Sequence, residues 1–221
     1  TNSVTTPFNR ILYQTETGEG PRFISGRRRP TLRPLHGMSF TRLRADLEQG
    51  VPDVDVRFVK PFILAIAAVF KTMVHMDVKV CKPHAVTDPG TRADVSGVIG
   101  FSGDASGCVV LSFPTPVACQ VASAFAGVPI DEKHPDFSDA IGELANMVAG
   151  NAKKDFEGMN ISISLPSVII GQGHTVSGLR ACPRLAIPCE TPCGVFEVEV
   201  AMVMTKAGAG ASAPAAAVSV A

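Results

Sequence analysis

The sequence predicts an α+β domain in which helices are layered on a mostly antiparallel β-sheet. Three observations carry that prediction. At roughly 100° per residue, the stretch 136–158 puts Phe137, Ile141, Leu144, Val148, Ala152 and Phe156 on one side of a helix, and Asp139, Glu143, Asn146 and Gly150 on a narrow stripe opposite. The runs Val95–Phe101 and Gly107–Phe113 flank Ser102-Gly103-Asp104-Ala105-Ser106, which reads as strand, tight turn, strand. Finally, Val195-Phe196-Glu197-Val198-Glu199-Val200-Ala201-Met202 alternates with period two, the pattern of a half-buried antiparallel strand.

The remaining elements follow in chain order. Pro61 suits the first turn of a helix, where its missing N–H is harmless, and the strongly apolar run behind it predicts a buried helix to about Met76. An extended segment, Asp77 to Lys82, leads into a Pro/Asp/Gly loop at Pro83 to Thr91. After the hairpin, Thr115 as N-cap and Pro116 at the next position open a second helix that ends near Gly127. The loop Pro129 to Pro135 precedes the long amphipathic helix, which starts near His134 or Asp136 and is closed by Gly158. Strands are expected at Ile161 to Leu165, Ser167 to Gly171, Arg180 to Ile187 and Val195 to Met204.

Charge divides the chain into three parts. Residues 1–50 hold eight Arg, no Lys and four acidic residues, a net +4, and the rest holds twelve basic and sixteen acidic residues, a net −4. A basic leader, 1–52, with few regularly spaced apolar residues reads as a disordered extension. Residues 53–206 form the folded domain, whose mild acidity argues against nucleic acid as its partner. The Ala/Gly-rich stretch 207–221 reads as a flexible tail. The longest apolar run, Phe62 to Phe70, is far short of the ~20 residues that cross a bilayer. No secretory signal is visible. Six cysteines spread through apolar elements read as free thiols in a reducing cytoplasm. A zinc site at Cys189 and Cys193 with His174 lacks any CxxC pair to support it.

The polar stripe is chemically unusual. An exposed helix face is ordinarily filled by Lys and Glu in (i, i+4) pairs. Asn is a mediocre helix former and Gly costs about 1 kcal/mol relative to Ala in a helix interior. Asn146 and Gly150 therefore weaken the helix they occupy, which points either to a close approach by another backbone or to a flat docking face with a polar probe at its centre.

On these residues the chain resembles the CheC/CheX/FliY family of chemotaxis phosphatases, the CheX-like branch most closely. The stretch Asp139-Ala-Ile-Gly-Glu143-Leu-Ala-Asn146 is similar to that family's active helix. So are Lys60-Pro61-Phe62-Ile63 with Val69-Phe70-Lys71-Thr72-Met73, the hairpin, and Ser164-Leu165-Pro166-Ser167-Val168-Ile169 in the same order. The sequence departs from the pattern at Lys60, where the family has Asn, and only one E-x-x-N helix is present.

The resemblance implies an aspartyl-phosphate phosphatase acting on a CheY-like receiver domain. That reaction needs a water in line with the P–O bond, and positioning dominates it. The implied roles are Asn146 to orient the water, Glu143 to pair with the receiver's phosphate-coordinating Lys, and Asp139 and Gly150 to meet the partner. No cofactor of its own is implied, since the receiver supplies Mg²⁺. A homodimer through the sheet is implied as well. A non-catalytic adaptor that binds a receiver or a flagellar-switch partner is the rival reading. A metal-dependent hydrolase built on His75, His84, His134 or His174 is disfavoured, because none has HxH or HExxH spacing.

Overall fold

The structure is a computed structural model, and it describes residues 56–86, 92–177, 182, 184–205 and 217–219. The basic leader and most of the loop Pro83 to Thr91 lie outside the described residues. The architecture is helices on an antiparallel sheet, as the patterning predicts.

The first helix begins earlier than Pro61. A 3₁₀ turn over Val56–Phe58 runs into α1, Val59–Val69. Pro61 is thus its third residue, still within the first turn, whose N–H groups have no intrahelical acceptor. Phe62, Ile66 and Val69 are buried in the main core. A π-helical turn, Phe70–Val74, extends the helix until His75 turns left-handed at φ 56°. That widened turn brings Phe70 to stack on Phe196 at 4.8 Å.

Among the described residues nine strands form one sheet in the order β1-β7-β8-β4-β3-β6-β9, with β2 on β7 and β5 on β3, and every pairing among them is antiparallel. The short strands β1 (Lys79–Val80) and β2 (His84–Ala85) edge β7. The central hairpin is longer than expected: β3 is Ala93–Gly103 and β4 is Ala105–Phe113, in register Val95↔Phe113 to Phe101↔Gly107. Only Asp104 remains as the turn. Its Oδ2 accepts a hydrogen bond from Asn160 N at 2.7 Å and its backbone N donates to Asn160 O at 3.0 Å. Gly103, at φ +116°, lets Asn160 O come so close that a side chain would collide with it.

The second helix, α2, is Thr115–Ala126, and its N-cap is Pro114, not Thr115. A proline has no side-chain oxygen to offer. The cap comes from a neighbouring strand: Asp94 Oδ2 accepts from Thr115 N at 3.1 Å while Oδ1 accepts from Gly173 N at 3.2 Å. Asp94→Ala is expected to cost about 1–2 kcal/mol, seen as a lower urea midpoint at unchanged slope. A midpoint equal to the parent's would remove Asp94 from this role. Gly127, left-handed at φ +71°, ends α2 as its sequence position suggests.

The long helix, α3, is Phe137–Lys154, and it stops four residues before the predicted Gly158. Asp155 caps it and Gly158 turns left-handed beyond it. Phe156 is buried as expected, but from the turn after the helix, where it packs edge-on against Phe58, Phe62 and Phe101.

Strands β5 (Ile161–Ile163), β6 (Ser167–Ser177), β7 (Arg184–Thr191) and β8 (Gly194–Met204) complete the main sheet. β6 runs six residues past the predicted end, because β3 pairs with it as far as Ala93↔His174 and β9 pairs with Thr175 to Ser177. β7 starts at Arg184, with residues 178–181 outside the description. The half-buried expectation for β8 needs correction. Phe196, Val198, Val200 and Met202 face the helices, yet Glu199 and Ala201 on the other face are only 5% and 2% exposed. A second apolar cluster of Val98, Cys108, Val110, Val176, Cys182 and Ala201 lies on that side. There Arg184 and Glu199 form a buried ion pair at 3.5 Å. Within the stretch 207–221, the described residues Ala217–Ser219 form β9 in register Thr175↔Ser219 with β6. Such pairing uses backbone groups on an open sheet edge, which composition does not reveal.

Candidate functional site

Helix α3 is held hard against the sheet by residues too small to keep it away. A Cβ on Gly97 of β3 would lie 2.9 Å from Ala145 Cβ and 3.3 Å from Ile141 O. A Cβ on Gly142 would lie 3.3 Å from Val168 Cγ2 and 3.5 Å from Pro166. With Phe137, Ile141, Leu144, Val148 and Ala152 all buried, the rotation of the helix about its axis is set.

That rotation turns the polar stripe to solvent. Asp139 and Glu143 are exposed, and Asn146 and Gly150 are partly exposed. Asn146 Nδ2 donates to Glu143 Oε2 at 3.4 Å, one helical turn apart. An ionised carboxylate only accepts, so the amide must present its N–H₂ to Glu143. Its Oδ1 then has no hydrogen-bond partner among the described residues. Around Gly150, nothing lies within 4 Å of where a Cβ would be. Among the described residues, none uses the room this glycine makes. Asp139 stands in the first turn of α3 and Lys153 and Lys154 in the last, each sign favourable for the helix dipole.

The four candidate histidines, all among the described residues, do not assemble. His75 ends the π turn, His84 is exposed on β2, and His134 Nδ1 accepts from Asp136 N at 3.2 Å. His174 is a core residue, 1% exposed, with Nε2 2.8 Å from the buried Ser96 Oγ and Nδ1 2.6 Å from Gly171 O. Among the described residues no group of three or more His, Cys, Asp or Glu could hold a metal. His174 on β6 and Cys189 on β7 are four strands apart, about 19 Å at ~4.8 Å per strand.

All six cysteines are free thiols. Burial pushes Cys108 and Cys182 up to about 11 and raises Cys189 well above the ordinary thiol value. Such groups are inert structural thiols at neutral pH. No helix among the described residues is long and apolar enough to cross a membrane.

Sequence patterning missed the glycines that seat α3 and the loop beside it. Gly97 sits inside an apolar strand, where a lone glycine signals close approach. Gly142, in mid-helix, carries the same signal.

The fold is one found among chemotaxis proteins. The family model described as "Chemotaxis phosphatase CheX" matches residues 95–190. The crystal structure of a chemotaxis protein CheX from Desulfovibrio desulfuricans is 33% identical, with 67% of this chain and 99% of that one covered at a TM-score of 0.62. A CheX from Vibrio vulnificus is 29% identical over 66% of this chain and 99% of that one, also at 0.62. A protein of Thermotoga maritima named CheY-P phosphatase CheX is 27% identical over 137 residues, 61% of this chain and 88% of that protein. The chain belongs to the CheX family.

Proposed function

We propose that this protein is an aspartyl-phosphate phosphatase that dephosphorylates a CheY-like response regulator, with Asn146 inserted into the receiver's site to orient the attacking water. The observation that carries the reading is the pair Asn146 and Glu143 on an exposed stripe, with the amide nitrogen turned to the carboxylate and the amide oxygen left open. The name of the Thermotoga maritima relative, CheY-P phosphatase, supports the same substrate.

In this mechanism Asn146 Oδ1 accepts one O–H of a water and aims the oxygen lone pair at phosphorus. The new P–O bond forms as the aspartyl O–P bond breaks, and the receiver's carboxylate and inorganic phosphate are released. A carboxylate in place of the amide would be repelled by the phosphoryl oxygens. Mg²⁺ belongs to the receiver, where it offsets the charge of the transferred group. Homodimerisation through the sheet and work in the cytoplasm belong to the same reading.

Glu143 fixes the docking register by meeting a receiver cation, and Asp139 and Gly150 extend the contact along the stripe. Glu143→Ala is expected to raise the half-saturating concentration of a beryllofluoride-loaded receiver roughly tenfold and to flatten its salt dependence. Unchanged titration curves would remove Glu143 from the interface. The whole reading is tested by the lifetime of a phosphorylated receiver in Mg²⁺ buffer with and without the protein. Binding without acceleration, across a panel of receivers, would make the protein an adaptor.

A further inference from the structure

Leu165 is 88% exposed, the most exposed large apolar side chain among the described residues. Single exposed leucines are common and by themselves mean little. This one is held out by structure. Ser164 N donates to Gly100 O at 2.9 Å, and Ser164 Oγ accepts from Gly100 N at 2.9 Å while donating to Leu165 O at 2.7 Å. On its other side Pro166 fixes the backbone and packs at Gly142, where a Cβ would be 3.5 Å from the ring. The loop thus cannot fold Leu165 inward without breaking three hydrogen bonds and leaving α3.

Its place relative to the polar stripe follows from helix geometry. Gly142 and Asn146 are four residues apart, so they differ by about 40° in direction and about 6 Å along the axis. The Leu165–Pro166 corner therefore flanks the stripe on the side of Asn146. Ile170, half exposed on β6, continues the apolar edge beyond Val168.

We propose that Leu165 is a receiver-contacting residue: it packs against apolar side chains bordering the receiver's phosphorylation site and shields the Asn146-bound water from bulk solvent. This rests on the phosphatase reading and names a specificity element for it. Polar contacts at the centre of an interface gain strength when neighbouring side chains exclude water. A rigidly presented leucine also loses little side-chain freedom on binding, which favours affinity.

The test titrates the beryllofluoride–Mg²⁺ form of the receiver, and separately measures the dephosphorylation rate at saturation. Leu165→Ala is expected to raise the half-saturating receiver concentration about tenfold, the value of burying a few methylene groups. The melting temperature should stay at the parent's value, the rate at saturation should fall because the Asn146-bound water loses its cover, and Leu165→Met should bind within about twofold of the parent. If Leu165→Ala binds as the parent does while Asn146→Ala slows hydrolysis, this inference is overturned and the phosphatase reading stands. If Leu165→Ala loses affinity while Asn146→Ala hydrolyses normally, the docking role stands and the catalytic reading falls. Loss of self-association in Leu165→Ala, with receiver affinity intact, would assign the residue to a second copy of this chain and overturn the proposal.

Discussion

Asn146→Ala is expected to slow stimulated receiver dephosphorylation by about 10² to 10³ at saturating receiver, the usual effect of losing one positioned hydrogen-bonding group at the reacting centre. The half-saturating concentration should change little, because the amide meets the water and not the bulk of the partner. Stability should also change little. Asn146 is partly exposed, and its one hydrogen bond, to Glu143, is long at 3.4 Å. Alanine is the better helix former by several tenths of a kcal/mol, so the variant should melt at or slightly above the parent's temperature. That combination, a lost rate in a protein of undiminished stability, separates a catalytic role from a structural one. Asn146→Asp sharpens the test, since it keeps the size and adds the charge that the phosphoryl group repels. An alanine variant as fast as the parent would refute the mechanism.

Gly97→Leu carries the largest expected effect on the fold. The first atom of any side chain at this position would already be 2.9 Å from Ala145 Cβ, and the backbone oxygen of Ile141 is close behind it. Overpacking of a tight contact typically costs 1–3 kcal/mol and sometimes more. With Ala145 and Ile141 already against the first side-chain atom, about 3 kcal/mol is expected here for a leucine. For a domain of this size that lowers the melting temperature by roughly 10 °C. The smaller change Gly97→Ala should leave a folded protein whose α3 is displaced by a few tenths of an ångström. Since misplacement on the order of 1 Å can cost ~10² in rate, Gly97→Ala is expected to lose rate at saturation without any change in the polar stripe. Ala145→Gly added to Gly97→Ala should restore part of both, because it removes the nearer contact. Equal melting of Gly97→Leu and the parent would mean that α3 does not lie on β3 as described.

Much of this was legible in the chain because the relevant signals are periodic and local. The stripe Asp139, Glu143, Asn146 and Gly150 and the opposite face from Phe137 to Ala152 follow from a 100° repeat, and the structure places both as the repeat requires. The β3–β4 hairpin and the alternation of β8 are period-two signals of the same kind. What went astray lay at ends and at partners. The cap of α2 is Asp94, twenty-one residues away in sequence, and no local rule for N-caps reaches that far. The turn at Asp104 is shorter than its Ser/Gly/Asp/Ala/Ser composition suggests, because β5 and the Asn160 backbone hold the strands paired to their tips. His174 reads as a loop histidine until the length of β6 puts it opposite Ala93 and against Ser96. The second buried face of the sheet escaped notice because Glu197 and Glu199 look like a solvent-facing row until Arg184 is placed beside Glu199 by the β7–β8 register.

By itself the sequence determined the class of fold, the order of its main elements and which residues of the long helix point away from the core, since each depends only on the spacing of apolar side chains along one segment. The tertiary structure alone decided how closely that helix approaches the sheet, through Gly97 and Gly142, and what stands beside its polar face, through the Leu165–Pro166 corner. Those are distances between segments brought together by packing, and no pattern within one segment encodes them.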